Sequence, residues 1–256
     1  MKFIDTHAHV FLDQFGPDLD NVLNRAKEAS VAKIFMPNLD SNTIGDMISV
    51  EMRYPGYCFS MIGLHPCSVN ESLEKELRLI EEWLSKRKFS GIGETGTDLY
   101  WDKTFRAQQE ESLEIHIDWA KKYQIPIVLH SRDSLDLTLS IIEKNQDERL
   151  RGIFHCFTGN PDQARRIVDA GFLLGIGGVL TFKNADLDKT LEKLTPDDLV
   201  LETDSPYLAP VPFRGKRNEP GYLPQTAQRL SEIFGLTIEE IAKITSENAE
   251  KTFQVG

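Results

Sequence analysis

Eight short apolar runs, alternating with amphipathic stretches, constrain this chain more than any other feature. They are Phe3–Val10, Val31–Pro37, Tyr57–Leu64, Phe89–Glu94, Ile125–His130, Arg151–Phe157, Gly171–Gly177 and Asp198–Asp204. Runs this short and this continuously apolar suit parallel strands buried on both faces, which need helical crossovers between them. Helical spacing fills the intervals: Leu19, Val22, Leu23 and Ala26; Leu73, Leu77, Ile80 and Leu84; Leu113, Ile117 and Ala120; Leu230, Ile233 and Phe234. Thr237-Ile-Glu-Glu240 adds a capping-box pattern ahead of Ile241 and Ile244. With 256 residues and no linker-like tract, the pattern predicts one α/β domain over 1–256, a (β/α)8 TIM barrel. An open doubly wound sheet would instead gather its site at one switch point.

The ends of these runs carry the chemistry. His7 and His9 sit two apart, so they share one face of an extended segment and can converge on one cation. Glu94, His130 and Asp204 end three later runs and His155 lies near the end of a fourth, which spreads the residues around a barrel's C-terminal mouth. A strand-end histidine is usually a hydrogen-bonded core residue when it stands alone. Four of the six histidines at such ends, with two carboxylates, instead make a ligand set for metal, expected to hold two divalent ions. Glu94, flanked by Gly91, Gly93 and Gly96, has room to offer both oxygens and bridge the ions. Asp204 is expected to be a ligand and also to accept a proton. The set names metal-assisted hydrolysis as the reaction class.

His65 directly follows the third run and should face the mouth, with a substrate-contacting or proton-transferring role weighed evenly against a structural one. His116 falls on the stripe of Leu113, Ile117 and Ala120 and reads as a helix packing residue. Gly175-Ile-Gly177-Gly178 lacks the helix that a dinucleotide loop requires, and reads as a turn bringing backbone near substrate. Arg214, Lys216 and Arg217 follow the eighth run, where barrels often bind phosphate, and Arg132 lies two residues past a candidate ligand.

Composition bounds the partners. The net charge of −11 repels a nucleic-acid backbone over most of the surface, so a polyanionic substrate must be held by the ions and a few placed cations. Cys58, Cys67 and Cys156 lack a Cys-x-x-Cys pair, which argues against disulfides and a thiolate zinc site. Without a signal pattern or a run near the roughly 20 apolar residues of a membrane span, the expectation is a soluble cytoplasmic protein with no membrane or protein partner.

Taken together, Asp5-Thr-His7-Ala-His9, Gly63-Leu-His65-Pro66, Gly91-Ile-Gly93-Glu94 with Asp98, Pro126-Ile-Val-Leu-His130-Ser-Arg132, His155-Cys-Phe-Thr-Gly159, Leu201-Glu202-Thr-Asp204-Ser-Pro206-Tyr207-Leu208 and Lys216-Arg217-Asn218-Glu219-Pro220 resemble the TatD-type metal-dependent deoxyribonucleases. These are a branch of the amidohydrolase-like barrels, and the resemblance spans nearly the whole chain. One departure is Gly96-Thr97-Asp98-Leu99-Tyr100, where the family reads Gly-Leu-Asp-Tyr. The resemblance implies divalent-metal-dependent hydrolysis of DNA phosphodiesters from a strand end or a single strand and leans toward magnesium, while the ligand types suit magnesium, manganese or zinc. The expected arrangement puts one ion on His7, His9 and Asp204, another on His130 and His155, and Glu94 between them. Asp204, Glu94 and His65 are then the catalytic residues, Glu202 and Asp98 support them, and Arg132, Lys216 and Arg217 hold phosphates.

Two other readings stay open. A hydrolase of the same barrel class could act on an amide, a small phosphoester or an aminoacyl ester on tRNA, because activated water attacks phosphorus and carbonyl carbon alike. A non-enzymatic scaffold would be expected to have damaged ligand positions, and none is damaged here.

Overall fold

The computed structural model describes residues 1–255. Strands and helices alternate as β1 (Phe3–Asp5), α1 (Leu19–Glu28), β2 (Val31–Pro37), α2 (Ile44–Arg53), β3 (Cys58–Met61), α3 (Leu73–Lys86), β4 (Ile92–Asp98) and α4 (Arg106–Tyr123). Then come β5 (Ile127–Arg132), α5 (Leu135–Asn145), β6 (Gly152–Phe154), α6 (Pro161–Asp169), β7 (Phe172–Ile176), α7 (Leu187–Leu191), β8 (Leu199–Leu201), α8 (Leu223–Phe234) and α9 (Ile238–Phe253). All pairing is parallel, in two sheets ordered β1-β2-β3 and β4-β5-β6-β7-β8. Single bridges, Ile62 with Ile92 and Ala8 with Ser205, connect the edges of the two sheets. The arrangement is consistent with a TIM-barrel-like fold.

Each helix lays its apolar stripe on the sheets. Leu19, Val22, Leu23 and Ala26 of α1 and Leu73, Leu77, Ile80 and Leu84 of α3 are buried in one large apolar cluster. A second cluster takes Ile4, Phe35, Met61, Val128, Ile153 and Val200 from six strands, with Ala249 and Phe253 of α9. The Phe253 ring stacks on Phe35 at 3.8 Å, so the last helix seals one end of this inner core. The expected capping box starts α9: Thr237 Oγ1 accepts the Glu240 N–H, and Glu240 Oε2 accepts the Thr237 N–H.

Several boundaries differ from the sequence reading. Only Val31–Pro37 forms a strand with the expected limits. The first strand stops at Asp5, past which Thr6 N–H turns to Leu201 O of β8 before Ala8 N–H rejoins β2 at Phe35 O. The fourth runs on to Asp98 through a glycine-rich stretch of low strand propensity. Gly93 and Gly96 have φ of +139° and +142°, and a Cβ on Gly96 would lie 2.0 Å from His130 O, so only glycine lets β4 approach β5 there. The spacings that predict helices do not cover α2, α5, α6 or α7.

Candidate metal centre

The chain past β1 and past β8 is tied together by one buried carboxyl. Asp5 Oδ1 accepts the N–H groups of His7 at 3.2 Å and Thr203 at 3.0 Å, and Asp5 Oδ2 accepts the Thr203 hydroxyl at 2.6 Å. Burial pushes the Asp5 carboxyl up to about 8 despite these donors. Asp204 N–H donates to His7 O at 2.9 Å. The result sets Asp204 Oδ1 3.5 Å from His9 Nε2 and 3.8 Å from His7 Nε2. His9 Nδ1 lies 3.1 Å from Pro37 O, a carbonyl that can only accept, so Nδ1 carries the proton and Nε2 offers a lone pair.

Glu94, third of the seven residues of β4, faces two groups at once. Its Oε2 lies 3.1 Å from His7 Nε2 and 3.6 Å from His9 Nε2. Its Oε1 lies 2.8 Å from His130 Nδ1, 3.0 Å from His155 Nε2 and 3.5 Å from His65 Nε2. Behind these rings stand further carboxylates. Asp98 Oδ2 is 3.0 Å from His130 Nε2, and Glu202 Oε1 is 3.3 Å from His155 Nδ1 while accepting the Cys156 N–H at 2.6 Å.

These donors fit divalent ions. Ligands about 2.0–2.2 Å from a shared ion stand roughly 3.0–3.6 Å from one another. The Glu94 Oε2, His7, His9 and Asp204 separations fall at 3.1–3.8 Å. His7 Nε2 and His9 Nε2 are only 3.2 Å apart, and His9 offers a lone pair there, so a cation is the natural partner for both. Among the described residues, His7 Nδ1, His155 Nδ1 and Glu202 Oε2 are buried without an aligned hydrogen-bond partner. Three triads have donor atoms mutually within 4.8 Å: His7, His155 and Asp204; His7, His9 and Glu94; His65, Glu94 and His130.

The electrostatics favour charge separation across Glu94. Burial opposes its ionisation, but His155, His7 and His65 hold its carboxyl well below the usual range. Burial also opposes protonation of His155, yet Glu94 and Glu202 raise it well above an ordinary imidazole. Burial and the neighbouring His155 lower His7. The ligand side therefore pairs ionised carboxylates with a buried ring kept ready to give a lone pair.

A family model described as TatD related DNase matches residues 4–254. The chain belongs to the TatD-related DNase family. An uncharacterized metal-dependent hydrolase of Bacillus subtilis is 39% identical over 253 residues, covering 98% of this chain and 99% of the relative. The crystal structure of a TatD homologue from Escherichia coli superposes with a TM-score of 0.93 at 30% identity, covering 99% of this chain and 98% of the other. An organophosphorus hydrolase variant from Deinococcus radiodurans, at 10% identity and TM-score 0.64, covering 98% of this chain and 92% of that one, shares the fold alone. With its clustered histidines and carboxylates, this TatD-family chain is a divalent-metal-dependent hydrolase.

The TatD-family site opens into a cavity of about 470 Å³ lined by His65, Glu94, Asp98, His130, Arg132 and Asp204, among others. Arg132 stands at its rim with its guanidinium 3.8 Å over the Tyr100 ring. Lys216 and Arg217 do not line this cavity among the described residues. Arg217 instead makes two 2.8 Å bonds to Asp18, so the phosphate contact expected of it has a competing carboxylate partner. Lys216 Nζ sits 5.7 Å from the Phe213 ring. The glycines at the end of β7 and just past it approach protein, not an open substrate space: a Cβ on Gly175 would lie 2.2 Å from Glu202 Oε2, and one on Gly178 would lie 2.2 Å from Leu208 O.

His65 Nδ1 accepts the Cys67 N–H at 3.0 Å, which leaves the proton of the neutral ring on Nε2, the atom turned to Glu94. His116 is buried on α4, as its stripe predicted, and its Nε2 accepts the Leu64 N–H at 3.0 Å. The sequence reading missed two kinds of residue. Asp5 had a usable signal in Asp-x-His, since a carboxylate two residues before a ligand can accept that ligand's N–H. Trp101, which also lines the cavity, offered none beyond lying just past a strand, and Tyr207, on the same cavity, stands in a quoted motif that gives it no role.

Proposed function

We propose that this protein is an exonuclease that hydrolyses DNA phosphodiester bonds at strand ends, preferring single strands. The observation that carries the reading is the division of Glu94, one oxygen toward His7 and His9 and the other toward His130 and His155. That division supports two divalent ions, magnesium, manganese or zinc, one held by His7, His9 and Asp204, the other by His130 and His155, with Glu94 shared. In the same reading the two sheets close into one barrel domain through the Ile62–Ile92 and Ala8–Ser205 bridges, and the site lies at its C-terminal mouth.

Bound divalent ions supply Lewis acidity and can lower the pKa of water from about 15.7 toward about 7. The chain's own groups do the rest. Asp204, its side chain 14% exposed, takes the proton of the attacking water. His65 donates from Nε2 to a phosphate oxygen or to the leaving oxygen. Glu202 and Asp98 keep His155 and His130 oriented toward Glu94. Arg132, its plane fixed by Tyr100, holds a neighbouring phosphate.

End-labelled single- and double-stranded oligodeoxynucleotides incubated with the protein in magnesium, manganese, zinc or EDTA test the reading, alongside Asp204→Asn. Metal-dependent shortening that is lost in EDTA and in the variant is expected. Intact DNA under every metal, from folded and metal-loaded protein, would shift the assignment to another ester or amide.

A further inference from the structure

Among the described residues, the exposed large apolar side chains are Met1, Met52, Tyr100, Trp101, Tyr207 and Val211. All the aromatic ones lie just past β4 or β8, beside the metal centre. Trp101 is 68% exposed and Tyr207 47% exposed, and both line the cavity that holds Glu94, His65 and Asp204. Leaving an indole face in water contributes nothing to the fold, since burial is what stabilises it.

The backbone under both rings is nevertheless fixed. Asp98 Oδ1 accepts the N–H groups of Tyr100 at 3.0 Å and Trp101 at 3.2 Å. Tyr207 donates its N–H to Asp204 O at 2.9 Å and accepts from Asn218 Nδ2 at 2.7 Å. Trp101 meets Tyr100 edge-on at 4.9 Å, and Arg132 lies 5.1 Å from the Trp101 ring. Polar atoms for a phosphate and largely exposed aromatic rings for a flat base thus share one cavity of about 470 Å³, within the range of small-ligand sites.

We infer that Trp101 and Tyr207 form a stacking platform for the terminal nucleobase of a single strand, with Arg132 and the metal centre holding the adjoining phosphate. The inference rests on the DNA reading above and names what that reading leaves open, how a protein of net charge −11 holds a polyanion. Coulombic attraction to a long backbone is weak here, so affinity must come from contacts at one nucleotide, and stacking is indifferent to base identity. In the closed barrel proposed above, β4 and β8 lie on opposite sides of the mouth, so the rings flank the entering nucleotide. A base at a paired duplex end is already stacked and gains less, which makes the platform a selector for frayed or single-stranded ends.

The test is equilibrium binding of a short labelled oligothymidylate, and of the same strand with an abasic terminal residue, followed by anisotropy and by tryptophan fluorescence in magnesium and in EDTA. Trp119 is buried and Trp83 half-buried, so ring stacking reports on Trp101. The base-bearing strand should quench the fluorescence and bind at least about fivefold more tightly than the abasic strand, a preference lost in Trp101→Ala and restored in Trp101→Phe. Equal binding of both strands by the wild type, or the same preference in Trp101→Ala, overturns the platform. Hydrolysis of the same strand is scored separately. Base-dependent quenching without metal-dependent shortening would sustain the platform and sink the nuclease reading, whereas shortening without base dependence would do the reverse.

Discussion

Asp98 uses its two oxygens on two different structures: Oδ2 lies 3.0 Å from His130 Nε2, while Oδ1 caps the backbone of Tyr100 and Trp101. Burial opposes the charge on Asp98, but the bond to His130 holds its carboxyl far below the usual range, and Asp98 and Glu94 in turn raise His130. Asp98→Asn keeps an acceptor for the loop and removes the charge behind the ring. It should weaken divalent-ion binding by about 10–100-fold, measured by calorimetric titration, with the fold unchanged by circular dichroism. Unaltered ion affinity would mean that Asp98 serves only the loop.

Glu94 makes the strictest prediction. Each of its oxygens faces at least two imidazoles, so truncation removes the shared donor from both halves of the site. Glu94→Ala should lose bound metal and hydrolysis together, by a factor of about a hundred or more in turnover, while remaining folded. Metal content by mass spectrometry and turnover, measured on one preparation, check it. Full turnover in the variant would show that the carboxylate does not link the two groups.

Much of this was legible because strand ends and ligand chemistry coincide. His7, His9, Glu94, His130, His155 and Asp204 stand at or near the ends of apolar runs in the sequence, and the fold brings their side chains together. The positions of the strands were less readable. Asp204 lies three residues past β8, with φ of +55°, and reaches His9 only because its N–H is held by His7 O. A pattern of apolar runs does not encode that tie. Arg217 looked free because Asp18 is 199 positions away in sequence, and a long-range ion pair leaves no local trace. Glycines at 175 and 178 signalled close approach correctly but not its object, which is Glu202 and Leu208.

Two glycines with opposite surroundings give a paired test of packing. A Cβ at Gly175 would sit 2.2 Å from Glu202 Oε2 and 3.1 Å from the backbone of His155, so Gly175→Ala must displace a buried carboxylate. It should cost about 1–3 kcal/mol of stability and reduce ion affinity as well. Gly45, exposed near the start of α2, has nothing within 4 Å of its Cβ position. Gly45→Ala should stabilise by about 0.4–1 kcal/mol. Urea unfolding of both variants decides it, and a neutral Gly175→Ala would mean that Glu202 has room to move.

His116 sets a pH dependence away from the proposed metal ligands. Its ring is buried, Nε2 accepts the Leu64 N–H at 3.0 Å, and Nδ1 donates to Ser112 O at 2.6 Å, so both nitrogens are occupied in the neutral form. Burial is the larger influence and pushes the imidazole from 6.5 down to about 4, with the Ser112 carbonyl opposing it. Between those values the unfolded chain binds the proton and the folded chain does not. The contribution of this histidine to stability is therefore fully present above pH 6.5 and is lost as pH falls toward about 4. From pH 7 to pH 5 the loss should be about 2 kcal/mol. Other titrating groups act in the same range, so the comparison must be with His116→Gln, whose side-chain oxygen can accept from Leu64 without titrating. Urea unfolding at both pH values, with metal chelated throughout, should show the wild type losing about 2 kcal/mol more than the variant. Identical losses would mean that the ring can open to water and take its proton without releasing Leu64, the residue whose backbone carries His65 into the cavity.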